Sequence, residues 1–250
     1  MTEYLLLAVA AFLAGMLNTV AGGGTFLTFP ALVYTGVPLV AANATSAVAV
    51  FPGYLGGAAG FRREIRALDR GRLLKATAAT AAGGLVGSLL LLVSSNEAFA
   101  VVVPFLLALA TLVFAFGDRL RNLMEKHAAG AGATTGAVGT IVVAVYGGYF
   151  NGGLGIMLLA LFSLWGMRDL NQMNGLKNGL SFIVSAISVA TFAAAGLVVW
   201  PQAAVMMAAA TIGGYLGAPV ARALPAWMVR AGVIAVGAAM SAAFFWRLVA

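Results

Sequence analysis

The chain has 250 residues, of which 62% are hydrophobic and 8% are charged. Soluble domains carry about 25% charged residues, so this composition excludes a soluble globular domain and predicts a chain that lies mostly in lipid. Because the sequence contains no Cys and a single His, it has almost no material for a metal centre or a catalytic triad. We expect no catalytic residue, no metal and no cofactor. The net charge of +7 comes from basic residues beside apolar spans, which indicates membrane topology and no nucleic-acid partner.

Ten apolar segments follow one another along the chain. They cover residues 4–20, 25–34, 40–61, 73–93, 98–116, 132–150, 154–165, 176–199, 203–220 and 227–248. The second and the seventh are short, and a helix of ten residues spans about 15 Å, half of a hydrocarbon core of about 30 Å. The sequence therefore predicts an all-helical integral membrane protein with about ten transmembrane segments, including broken or short helices at Gly-rich turns.

Positively charged residues predict the orientation of these segments. Six lie between residues 62 and 75 and three between 119 and 126, whereas residues 94–97 and 199–202 contain none. Because cytoplasmic loops are enriched in Lys and Arg, the two basic loops are expected inside the cell. We predict a multi-pass protein of the cell (inner) membrane with both termini extracytoplasmic.

The two halves of the chain contain a repeated motif. Residues 82–87, Ala-Gly-Gly-Leu-Val-Gly, match residues 212–217, Ile-Gly-Gly-Tyr-Leu-Gly, and small gaps align Asn18 with Asn151 and Asn43 with Asn174. With five segments in each half, the second half starts from the opposite side, which predicts inverted-topology repeats. Residues 1–127 would form the first repeat with its basic cytoplasmic linker, and residues 128–250 the second, in one integrated membrane domain.

In each half, a glycine-rich break separates the first two segments. Glycine clusters interrupt a helix, and the backbone N–H groups they leave unpaired must face protein or a wet cavity when they lie at membrane depth. Because a helix N-terminus carries partial positive charge, we predict that two broken hairpins meet in a central region and bind an anion. The predicted binding residues are Asn18, Gly22, Gly23, Gly24 and Thr25 in the first hairpin and Asn151, Gly152, Gly153 and Gly155 in the second.

Close helix packing is the alternative role for glycine. It is the role we expect for the pairs Gly56/Gly60, Gly83/Gly87 and Gly213/Gly217, which have the spacing of small residues at membrane helix interfaces. Such faces would serve either a homodimer or packing within one chain.

The first break also resembles a known family motif. Gly22, Gly23 and Gly24 are followed by Pro30, Gly36 and residues 42–46, Ala-Asn-Ala-Thr-Ser, and a degenerate second copy ends at residues 174–178. This arrangement is similar to the TauE/SafE sulfite exporter family over nearly the whole chain. The resemblance implies a permease for sulfite, sulfoacetate or a related organosulfonate or organic anion. It also implies four further substrate-binding positions, namely Asn43, Thr45, Asn174 and Lys177.

Lys177 is the most informative of these residues, because an ammonium within a membrane span usually faces the bundle interior or water. The alternative is that it extends to the cytoplasmic interface, since it follows Arg168 by nine residues.

All seven acidic residues lie at segment ends or in loops, which argues against an intramembrane proton relay. An anion leaving a negative-inside cell gains about 2.3 kcal/mol per charge per 100 mV.

These observations predict a transporter rather than an enzyme. We expect it to export a small anion under the membrane potential, with that anion and the lipid bilayer as its partners. An anion channel, or an importer of the same class of anion, is the alternative.

Overall fold

The computed structural model of the chain describes residues 2–20, 23–127, 133–223 and 226–249, and within these ranges all regular structure is helical. In chain order the helices are α1 (Thr2–Val20), α2 (Thr25–Tyr34), α3 (Leu39–Gly60), α4 (Arg62–Arg66), α5 (Arg70–Val93), α6 (Asn96–His127), α7 (Ala133–Tyr149), α8 (Leu154–Leu164), α9 (Leu170–Ala194), α10 (Trp200–Ala223) and α11 (Ala226–Val249). The all-helical prediction is therefore confirmed.

Each predicted apolar segment overlaps one of these helices. Within the described residues, four stretches are long and apolar enough to cross a membrane, namely Leu39–Gly60, Arg70–Val93, Asn96–Val113 and Asn171–Ala194. Shorter apolar helices include both α2 and α8. The sequence did not predict α4, because a segment of five residues, four of them charged, carries no apolar periodicity. The total of ten transmembrane segments stays a prediction.

The packing of α5 shows how the bundle is held together. Its small residues Gly83, Gly87 and Ser88 are buried, whereas Leu85 and Leu89 are 44% and 46% exposed. This distribution is the reverse of that in a soluble helix, and it fits helices that approach closely through small residues while large apolar side chains face lipid.

Glycines permit two equivalent close helix contacts. A Cβ on Gly87 of α5 would overlap the carbonyl oxygen of Val145 in α7, and a Cβ on Gly213 of α10 would overlap the carbonyl oxygen of Phe12 in α1. The packing role predicted for these two glycines is confirmed, and so is that of Gly83, whose Cβ would lie 2.6 Å from the carbonyl oxygen of Ile141. It is wrong for Gly60, where a Cβ would meet no atom within 4 Å.

Helices from the two halves of the chain interlock throughout the bundle. The most extensive contacts pair α1 with α10 and α7 with α5, and α3 crosses α9. At that crossing the rings of Phe51 and Phe182 stack, with centroids 5.1 Å apart. Helix α9 begins after Asp169, whose side chain accepts hydrogen bonds from the N–H groups of Asn171 and Gln172. This N-cap fixes the start of the helix that carries Lys177.

Replacing Gly87 with Ala tests the α5–α7 contact. The added Cβ would overlap backbone, so the helices must separate, and overpacking of this kind costs about 1–3 kcal/mol. We expect Gly87→Ala to lower the melting temperature of the detergent-purified protein. Gly53→Ala is the matched control, because a Cβ there meets nothing within 4 Å. Equal melting temperatures for the two variants would contradict the packing described here.

Candidate functional site

In the first hairpin, which consists of α1, α2 and the break between them, a side chain of α1 accepts hydrogen bonds from backbone amides of the break. Oδ1 of Asn18 accepts hydrogen bonds from the N–H groups of Gly23 and Gly24, at 2.9 and 2.8 Å. A side chain on Gly24 would come within 2.7 Å of the Asn18 amide nitrogen, which explains the glycine. The prediction that the N–H groups of Gly23 and Gly24 are unpaired is therefore wrong, because the side-chain carbonyl of Asn18 reaches both.

The first hairpin is also tied to α3. The hydroxyls of Thr28 and Ser46 share a hydrogen bond of 2.6 Å, and both side chains are completely buried. Thr25, the first residue of α2, is buried as well. Gly22 lies outside the described residues.

The second hairpin, α7 and α8 with the break between them, has a more irregular backbone. Asn151 and Gly153 both adopt left-handed conformations, with φ of 63° and 76°. The N–H of Gly152 donates to the carbonyl of Phe150 at 2.9 Å, and that of Leu154 to Asn151 at 3.3 Å. Asn is one of the few non-glycine residues that tolerate this conformation.

Two amides of the second break have no hydrogen-bond partner. Within the described part of the chain, the N–H groups of Gly153 and Gly155 donate to no acceptor. Both belong to the N-terminal end of α8, where N–H groups point along the helix axis and carry partial positive charge. The second break thus has two glycine amides without an acceptor among the described residues, whereas those of Gly23 and Gly24 in the first break are bonded to Asn18.

The side chain of Asn151 fixes this break against two other helices. Its Nδ2 donates to Oγ of Ser185 in α9 at 3.2 Å, and its Oδ1 lies 3.5 Å from the Tyr54 hydroxyl of α3. The Tyr146 hydroxyl donates to the carbonyl of Gly152. Nδ2 of Asn43 donates to the carbonyl of Tyr149 at 2.7 Å. The break is consequently held in place by hydrogen bonds from α3, α7 and α9.

Lys177 lies beside this break and is only 5% exposed. Its Nζ donates to Oδ1 of Asn174 at 3.2 Å, and its aliphatic chain packs on Gly155, where a Cβ would be 3.2 Å from Cδ. The described residues offer it no ion-pair partner. The side chain is thus enclosed by protein, with one neutral hydrogen-bond acceptor and no counter-charge.

The two hairpins meet through aromatic rings. Phe29 of α2 and Phe150 of the second break pack edge to face, with centroids 5.7 Å apart. Phe99 of α6 and Phe244 of α11 also contact Phe29. Hydrophobic rings therefore fill the space between the hairpins on this side.

A groove opens at the end of the bundle that carries the basic residues between 62 and 75. It has a volume of about 400 Å³ and is lined in part by Arg72, Lys75 and Trp165. A smaller cavity of about 100 Å³ shares Arg72 and Trp165 with it and continues to Leu176, the neighbour of Lys177. The lining of the groove carries two cations and one carboxylate, that of Asp69, and Lys177 itself lines neither the groove nor the cavity.

The structure brings together some of the predicted residues and separates others. Asn151, Gly152, Gly153, Gly155, Asn174 and Lys177 form one cluster at the second break. Thr45 serves elsewhere, because its Oγ1 accepts a hydrogen bond from the N–H of Val199 before α10. Tyr54, Tyr146 and Ser185 were not predicted, since hydroxyl groups scattered along apolar helices give no local signal of a shared partner.

A helical bundle with lipid-facing apolar side chains and a buried cation beside a broken helix defines a multi-pass membrane protein. Its family follows from sequence comparison. The model of the family described as sulfite exporter TauE/SafE matches residues 7–244. This chain belongs to that family of membrane transporters.

Relatives of similar length carry related names. The chain is 28% identical over 232 residues to a probable membrane transporter protein of Haemophilus influenzae, covering 92% of this chain and 90% of the relative. It is 26% identical over 247 residues to the probable membrane transporter protein YfcA of Escherichia coli, covering 97% and 90%. Sinorhizobium has a third, the probable membrane transporter protein ORF9, 25% identical over 240 residues, with coverages of 94% and 89%. No solved structure matches the chain significantly.

Substitution of Asn151 tests the left-handed backbone of the second break. Asn151→Gly and Asn151→Val both remove the side-chain hydrogen bonds, but only Val resists positive φ, at a cost of about 1–3 kcal/mol. We expect Asn151→Val to melt several degrees below Asn151→Gly in thermal denaturation. Indistinguishable melting temperatures would contradict the assigned backbone conformation.

Proposed function

We propose that this protein exports a small sulfur-containing or organic anion, such as sulfite, sulfoacetate or a similar organosulfonate, across the cell membrane. The anion binds at the second break, between the N-terminus of α8 and Lys177 of α9. The membrane potential drives transport, without coupling to protons.

The buried Lys177 carries this proposal. Removing an ammonium from water costs several kcal/mol, and a single neutral amide oxygen does not offset that cost. A bound anion would supply the missing counter-charge. We propose that it arrives from the basic end of the bundle, where the cavity lined in part by Arg72 extends as far as Leu176. Transport of an anion therefore accounts for a cation that stability alone does not explain.

The N–H groups of Gly153 and Gly155 support the same site. Backbone donors at a helix N-terminus suit the oxygen atoms of sulfite and sulfonates, which accept several hydrogen bonds. Because Gly155 has no side chain, none stands between these donors and Lys177 at this position. An oxyanion could consequently contact the ammonium and the helix end together.

The helix packing supports an arrangement of two related halves. Contact of α1 with α10 corresponds to contact of α7 with α5, and the contact of α3 with α10 to that of α9 with α5. A separation of 131 residues relates Phe51 to Phe182, Asn43 to Asn174 and Ser46 to Lys177. We propose inverted five-segment repeats, related by an axis near the Phe51–Phe182 contact, with both termini outside the cell.

Equivalent positions in the two halves carry different residues and make different hydrogen bonds. Ser46, the equivalent of Lys177, is bonded to Thr28, and the amides of the first break are bonded to Asn18. In the first hairpin the amides of Gly23 and Gly24 are thereby satisfied within the protein, whereas those of Gly153 and Gly155 in the second have no acceptor among the described residues. We propose that the first repeat supports the structure and the second binds the substrate.

The energetics favour export. A monovalent anion leaving a negative-inside cell gains about 2.3 kcal/mol per 100 mV, enough to maintain more than a tenfold gradient. The acidic residues Asp69 and Asp169 cap helices at the ends of the bundle. The sequence places no carboxylate in the middle of a span, where a proton relay would need one.

Neutralising Lys177 tests the site. In proteoliposomes with an imposed membrane potential, we expect Lys177→Gln to reduce sulfite flux at least tenfold, because the anion loses its charged partner. Arg62→Gln is the matched control, since it removes the same charge from an exposed residue of α4 and surface charges are screened by salt. Equal flux in Lys177→Gln and wild type would contradict the assignment.

The driving force is tested with the same vesicles. We expect sulfite or sulfoacetate flux to follow the imposed potential and to saturate with substrate concentration. Flux that responds to a pH gradient and not to the potential would overturn the proposed mechanism. Non-saturating conductance would indicate a channel, and accumulation against the potential would indicate an importer.

A further inference from the structure

Two buried hydroxyls, one on α5 and one on α9, lack hydrogen-bond partners among the described residues. Thr80 of α5 and Ser181 of α9 are completely buried, with exposures of 0%. Neither side-chain oxygen makes a hydrogen bond within the described part of the chain. Burying a hydroxyl without a partner costs free energy, so each calls for an explanation.

Several other hydroxyls in this bundle bond to their own helix. Those of Ser88, Thr111, Thr140, Ser163 and Thr211 each donate to the carbonyl four residues earlier. This bond is the ordinary solution for Ser or Thr in an apolar helix. Thr80 and Ser181 do not adopt it, so their oxygen atoms are available to a group that is neither helix backbone nor another side chain.

The register of α5 and α9 places the two hydroxyls at one level. The two helices run parallel: Ser88 is hydrogen-bonded to Ser188 at 2.8 Å, and a Cβ on Gly84 would lie 3.4 Å from Cα of Val184. Thr80 lies one turn before Gly84, and Ser181 lies about one turn before Val184. Both side chains therefore belong to the same α5–α9 interface.

The two hydroxyls lie about one helical turn further along the bundle than Lys177. Ser181 follows Lys177 by four residues, one turn or about 6 Å along α9. On α5, Thr80 follows Ala76, which lines both the groove and the cavity leading to Leu176. The hydroxyls thus lie about one turn beyond Ala76 and Lys177, further from the basic end of the bundle.

We propose that Thr80 and Ser181 form a second binding position for the transported oxyanion, one turn beyond Lys177. This inference rests on the proposed function. The two hydroxyls donate hydrogen bonds to the oxygen atoms of sulfite or a sulfonate after it leaves the ammonium. A neutral position adjacent to a charged one lets the anion move on, because it offers donors without a second strong ionic attraction.

The test measures sulfite transport and stability in the same variants. We expect Thr80→Val and Ser181→Ala each to raise the KM for sulfite by about tenfold, the effect of losing a hydrogen bond to a charged group. Their melting temperatures without substrate should equal or exceed that of wild type, because an unsatisfied buried hydroxyl has been removed. Thr80→Ser, which keeps the hydroxyl, should retain the wild-type KM.

Thr111→Val and Ser163→Ala are the matched controls, since each removes a buried hydroxyl that is bonded to its own helix. We expect an unchanged KM for both. If Thr80→Val and Ser181→Ala retain the wild-type KM and melt at lower temperatures, the hydroxyls have a structural role and the inference is wrong. If the wild-type protein moves neither sulfite nor sulfoacetate, the proposed function itself fails.

Discussion

The hydrocarbon core of a membrane provides no water, so each polar group inside the bundle must find its partner in the protein. Most do: Asn18 binds the amides of the first break, Asn151 bridges two helices, and Ser88 binds Ser188. Lys177 is the important exception, because its ammonium group has a neutral amide oxygen, that of Asn174, as its hydrogen-bond partner. We propose that a bound anion completes that interaction at the second break.

The small residues that allow close helix packing also determine which side chains face the interior of the bundle. Helix α5 approaches α7 so closely at Gly87 that the bundle has no space there for a methyl group. On the same helix the large side chains point outward, which leaves small and hydroxyl-bearing residues inside. The packing contacts of Gly83 and Gly87 and the Thr80 hydroxyl proposed to bind the anion thus lie on one helix, within about two turns of each other.

Composition and apolar length predicted the helices well, since hydrocarbon thickness and backbone hydrogen bonding leave few alternatives for such segments. The glycine breaks at residues 22–25 and 151–155 were also visible in the sequence. Side-chain orientation was not visible in the sequence. No sequence pattern shows that Asn18 accepts hydrogen bonds from the amides of Gly23 and Gly24, or that Thr80 and Ser181 do not bond to carbonyls of their own helices. These choices depend on which helix lies opposite, and that is decided by tertiary packing.

A bromine-labelled sulfonate, 2-bromoethanesulfonate, offers the most direct test of the central claim. Its anomalous scattering in a crystal structure of the complex would locate the bound anion independently of any transport assay. We predict density for the sulfonate group between Lys177 and the N-terminus of α8, with an oxygen atom within about 3 Å of Nζ. Density confined to the groove at Arg72 and Lys75, with none beside Lys177, would contradict it.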